Sequence, residues 1–132
     1  MAHTIKLAAV GALAFMVLDG VWLGLLMKNF YRDQLAPIVR LADGGIAPNW
    51  PAAFVVYALL GAGIALFVIP RASTASSAAV YGALFGLVVY GVYDFTNYST
   101  LRQWPFVLTL ADVAWGTVAS AACAAAVRLV VR

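Results

Sequence analysis

Four apolar stretches, each close to the roughly 20 residues that a helix needs to cross a bilayer, dominate this 132-residue sequence. They cover about residues 5–27, 51–70, 77–97 and 105–127. The first contains an aspartate, Asp19, which costs about 3 kcal/mol to insert. Its eleven Leu, Ile, Val and Phe residues return roughly 0.3–0.6 kcal/mol each, so the segment still partitions into the bilayer. A cleaved signal peptide fits it poorly, because the apolar run continues past Asp19 and ends without an A-x-A site. The composition agrees: 65% of the residues are hydrophobic and 10% charged, against roughly 45–50% and about 25% in soluble domains. A soluble fold, a disordered chain and a disulfide-stapled scaffold are excluded together. The expected architecture is all-α, an integral membrane four-helix bundle forming a single transmembrane domain over residues 1–132.

The first connection, "KNFYRDQLAPIVRLADGGIAPNWP", is the longest. Its opening half suits a short interfacial helix ending before Pro37, with Phe30 and Tyr31 at headgroup level. The "ADGG" and "APNWP" segments read as a turn and a helix start. With four spans both termini lie on one side. Lys28, Arg32, Arg40 and Arg102 flank one face and Lys6, Arg71, Arg128 and Arg132 the other, so the positive-inside count ties and assigns no orientation. "LDGVW" in the first span is echoed by "YGVYD" in the third, and "NWP" and "QWP" open the second and fourth. This echo suggests two related helical hairpins.

Three of the five acids, Asp19, Asp94 and Asp112, fall inside spans, and there is no glutamate. Counting 1.5 Å per residue puts Asp19 and Asp112 ~12 Å in from Lys28 and Trp104, with Asp94 shallower before Arg102. The first and third spans end where the second and fourth begin, so all three carboxyls occupy the same half of the bilayer. Tyr57 reaches a similar depth from the second span. Asp19 with Trp22, and Asp112 with Trp115, are spaced i, i+3 on one helix face. Tyr90, Asp94 and Asn97 recur at i, i+4, i+7 as a polar stripe. An ionised aspartate near mid-bilayer costs roughly 2.5–3.5 kcal/mol. Loop arginines or lysines reaching down, protonation, or a cationic ligand would have to balance the three; alternatively the acids are structural and bonded to Trp, Tyr or Asn.

The remaining chemistry is sparse. Cys123 lies alone in an Ala-rich run, and His3 sits near the N-terminus. No metal site and no cofactor are expected from one of each, and the scattered basic residues do not form a nucleic-acid footprint. Trp50 and Trp104, each preceding a proline, read as interfacial anchors. Gly20/Gly24 and Gly82/Gly86 permit close helix approach.

The segment "YGVYDFTNYSTLRQWP", followed by "LADVAWG", together with "DGVWLG" and the "FY" after it, resembles a family of small bacterial membrane proteins catalogued as a domain of unknown function. The resemblance spans nearly the whole chain and implies a multi-pass, four-helix protein of the bacterial inner membrane. It also implies shared polar positions at Asp19, Trp22, Tyr93, Asp94, Thr96, Asn97, Thr100, Asp112 and Trp115. It brings no named activity.

The expected site is a carboxylate and aromatic layer of Asp19, Trp22, Tyr57, Tyr90, Tyr93, Asp94, Asn97, Asp112 and Trp115 that binds or transports a proton, a cation or a small polar ligand. A thin bundle of this kind would act as a homodimer. The alternative is a structural or regulatory subunit of a larger membrane complex, with pigment or lipid binding. A lipid-modifying enzyme is disfavoured by the lack of a D-D-x-x-D cluster and of a histidine near the carboxyls, and no catalytic residue is assigned.

Overall fold

The computed structural model describes residues 1–131; Arg132, counted above among the basic residues, lies outside the described residues. Helix α1 (Ala2–Val21) continues through a π turn, Trp22–Leu26. A break at Met27 leads into the short helix α2 (Lys28–Leu35). Helix α3 (Trp50–Gly63) passes into a second π turn, Ile64–Val68, and a 3-10 turn, Ile69–Arg71. Helices α4 (Ala75–Thr100) and α5 (Phe106–Val130) complete the chain. Four helical segments, Ala2–Leu26, Trp50–Arg71, Ala75–Thr100 and Phe106–Val130, are long and apolar enough to cross a membrane. Their bounds lie within three residues of the apolar stretches read in the sequence, the third and fourth each running three residues further at the C-terminal end.

Local chemistry explains the boundaries. The Asn49 side chain accepts from the Ala52 N–H at 3.2 Å, and Pro51 fills the first turn of α3, where its missing N–H is harmless. Thr74 and Ser77 form a reciprocal capping box at the start of α4. The π turn of α1 is closed by the Met27 N–H donating to the Trp22 carbonyl at 2.7 Å. Between α2 and α3 the "ADGG" segment makes a feature beyond the all-α expectation: a two-stranded hairpin, β1 (Leu41–Ala42) and β2 (Gly45–Ile46). Its turn residues Asp43 and Gly44 both take positive φ (50° and 74°), the requirement of a type I′ turn. Arg32 ties α2 to this turn, donating from Nη1 to the Gly44 carbonyl at 3.3 Å.

Helix α1 pairs with α3 and α4 with α5, which are the two expected hairpins; α1 also packs along α5, whereas α4 meets α3 chiefly through the Ile64–Val68 turn. Lipid tails are as apolar as leucine, so helices associate by close packing of small residues rather than by hydrophobic drive. A side chain on Gly61 would run into the Ala8 carbonyl and Ala12 of α1. One on Gly82 or Gly86 would strike the Ser120 or Gly116 carbonyl of α5. Phe15, Ile64, Val68, Val127 and Cys123 fill the space between the hairpins, with the Cys123 thiol 3.3 Å from the Gly11 carbonyl. Large apolar side chains such as Leu13, Val17, Leu59, Val88 and Val92 face outward, the inverse of a soluble protein.

Gly20, by contrast, has open space where a Cβ would stand. Gly86→Ala and Gly61→Ala are expected to destabilise the purified protein by about 1–3 kcal/mol through overpacking, while Gly20→Ala leaves it unchanged. Thermal unfolding in detergent, followed by circular dichroism, measures the contrast.

Candidate functional site

The three intramembrane aspartates gather in one half of the bundle, each presented by a different helix. Asp19 lies in the last turns of α1, Asp112 in the second turn of α5, and Asp94 six residues before the end of α4. Asp94, expected to be the shallowest, is fully enclosed (0% exposed), because α4 continues to Thr100 and leaves it well inside the helix. Asp19 is 8% exposed and Asp112 half-buried.

The indoles bond across the helices rather than along them. Trp115 of α5 donates from Nε1 to Asp19 Oδ1 of α1 at 2.8 Å. Trp22 of α1 donates to the Tyr31 hydroxyl at 3.1 Å, and that hydroxyl donates to Asp112 Oδ1 of α5 at 2.6 Å. The two rings stack face to face, centroids 4.4 Å apart and planes 1° from parallel. Two crossed hydrogen-bond paths and one stacked pair thus join the first hairpin to the second. The outer edges of the indoles border a shallow apolar groove of about 340 Å³ with Met27, Ala111 and Val118.

Tyr31 was not among the expected site residues. Sequence reading placed it at the headgroups with Phe30; the structure buries it, folding α2 back so that the phenol reaches the carboxyl layer. The signal was the amphipathic pattern of residues 28–35, which has one buried position, Tyr31. Burial foremost, then the adjacent Asp112 charge, raises the Tyr31 phenol above its ordinary range. It therefore remains a donor throughout the pH range in which proteins are handled.

The Tyr57 hydroxyl lies against Asp19. Tyr90 rests its ring on Gly116, where a side chain would collide with it, and its hydroxyl shares the layer with Asp19, Asp112 and Tyr57. Tyr93 points outward at 57% exposure and meets Trp104 edge-on at 5.9 Å, with Asn97 one turn beyond it on the same helix. Trp104 donates to Thr109 Oγ1 at 3.1 Å, and Trp50 is 59% exposed at the membrane edge.

Asp94 differs from the other two acids. It stands beside Asp112, yet neither of its carboxylate oxygens has a hydrogen-bond partner. No loop cation reaches the layer among the described residues: the ion pair that forms is Arg32 with its neighbour Asp33, at 2.8 Å on the surface. Balance by an arginine or lysine from above, one of the options open in the sequence, is not the arrangement found.

Tyr31→Phe removes the donor to Asp112 and the acceptor for Trp22 together. An expected loss of about 1–3 kcal/mol would appear in thermal unfolding. Because the Tyr31 value is raised on folding, its contribution is complete below the unfolded phenol value of about 10 and disappears only as pH climbs past the folded one. Wild type and variant should therefore differ by a constant amount from neutral pH up to mildly alkaline conditions.

No curated relative and no solved structure matches the chain. A family model described as a predicted membrane protein, DUF2177, matches residues 4–129. With nearly the whole of all four spans and the whole carboxyl layer inside that match, the chain belongs to the DUF2177 family of membrane proteins.

Proposed function

We propose that this protein binds a proton within the membrane, on the Asp94–Asp112 carboxyl pair, as the coupling site of a small transport protein of the bacterial inner membrane. The observation that carries this reading is Asp94: fully enclosed, without a donor to either oxygen, and beside a second acid. A charged carboxylate in that position would cost several kcal/mol. A proton held between the two carboxyls removes one charge and supplies the missing hydrogen bond. Asp112 suits the carboxylate partner because Tyr31 already donates to it, and Asp19 is likewise held by Trp115. A proton fits better than a bulky cation, since Asp19 and Asp112 each spend an oxygen on a protein donor and the indoles close on each other at 4.4 Å.

A second reading, a subunit of a larger membrane assembly or a homodimer, draws on Gly20 and Gly24. Gly20 at the end of α1 and Gly24 in the π turn that follows it face outward, with open space where a Cβ would stand, leaving a surface on which another helix could pack closely.

Dicyclohexylcarbodiimide, which modifies protonated carboxyls in apolar surroundings, tests the proton site. Labelling of Asp94 or Asp112, mapped by mass spectrometry, should fall as pH rises, and Asp94→Asn should abolish it while helix content is retained. Absence of labelling at every pH, or equal labelling of Asp94→Asn, would defeat the proposal. A single-chain mass in detergent would count against the assembly reading.

A further inference from the structure

The end of the bundle opposite the carboxyl layer carries a different kind of site. Lys6, Arg71 and Arg128 lie there, and none of the five aspartates does: Asp19, Asp94 and Asp112 occupy the other half, and Asp33 and Asp43 the first connection. At this end a groove of about 320 Å³ runs between the close of α3 and the outer face of α4. It is lined by Phe67, Val68, Tyr81, Leu84, Phe85 and Val88, with Arg71 at its mouth. From the first residue of α4 to Val88 is roughly 20 Å along the helix, so the groove reaches from the membrane edge toward the bilayer centre. Phe85 fills its floor, packed where Gly63 has no side chain.

Arg71 is held over this mouth. Its Nη1 donates to the Phe67 carbonyl at 2.6 Å, one of the carbonyls freed where the helix tightens at Pro70, and the rest of its guanidinium fork is exposed. Arg128 adds a second cation on the same turn, donating from Nη2 to the Ser73 carbonyl at 3.0 Å. A planar fork with spare donors, unopposed by any acidic side chain among the described residues, is matched to a phosphodiester. An apolar trough descending from it into the hydrocarbon is matched to an acyl chain. The charged half suits a zwitterionic headgroup less well, since a choline would meet only positive charge.

We infer that the α3–α4 groove is a binding site for an anionic phospholipid, its phosphate on Arg71 and one acyl chain along Phe67, Leu84 and Val88. This site is separate from the carboxyl layer, and its failure would leave the proton proposal untouched. The test uses the full chain in detergent micelles, titrated with phosphatidylglycerol or with phosphatidylcholine of identical acyl chains and read by native mass spectrometry. The wild type should retain phosphatidylglycerol roughly five-fold better, as about one favourable basic contact would give. Arg71→Gln should erase that preference, Arg71→Lys should keep part of it, and Leu84→Trp, which fills the trough, should lower retention of both lipids. Equal retention of the two lipids by the wild type would overturn the inference. So would a preference that survives Arg71→Gln, or retention of both lipids that Leu84→Trp leaves undiminished. Helix content by circular dichroism confirms that each variant is folded, and Arg71→Lys carries the test if Arg71→Gln is not.

Discussion

A carboxylate in hydrocarbon has no water to turn to, so each acid in this bundle has to be given a partner by the protein or carry its own proton. That requirement shapes the carboxyl half of the molecule. The donors for Asp19 and Asp112 come from the opposite hairpin or from the interfacial helix, so satisfying them also fastens the pieces together. Trp115 reaches from α5 to α1, and Tyr31 reaches from α2 to α5 while receiving from α1. Elsewhere the helices hold by contact of backbone on backbone at Gly61, Gly82 and Gly86. The bundle is thus glued by shape at one end and by hydrogen bonds at the other.

Much of this was legible from the residues. The four spans are stretches of composition, and composition survives any tertiary arrangement, so their number and approximate bounds could be read directly. The common level of Asp19, Asp94, Asp112 and Tyr57 followed from counting residues along helices of known rise and alternating direction. Partner choice was not legible. The i, i+3 spacing joins Asp19 to Trp22 and Asp112 to Trp115 on their own helices, yet the indoles cross over, because a side chain can bond to whatever a neighbouring helix brings within reach. Tyr31 was half hidden for the same reason: the amphipathic pattern of residues 28–35 marks a face to be buried, but not what the short helix folds back against. The π turns at Trp22–Leu26 and Ile64–Val68 also left no mark, since one extra residue per turn changes register without changing hydropathy.

The two hairpins are not used alike. Helix α1 lies along α5, whereas α4 touches α3 mainly at the Ile64–Val68 turn. The first contact carries the crossed hydrogen bonds and the stacked indoles; the second leaves room for the groove below Arg71. The two contacts between the hairpins thus differ in kind, polar and locked on one side, apolar and open on the other.

The parallel indoles of Trp22 and Trp115 belong to separate hairpins and sit close enough for their electronic transitions to couple. Light absorbed by the pair should be shared between the rings, giving a paired band of opposite sign at the strong indole transition in the far-ultraviolet dichroism. That band would fade when the rings part. The molecule thereby holds an intrinsic optical gauge of whether its halves are docked, with no foreign dye required.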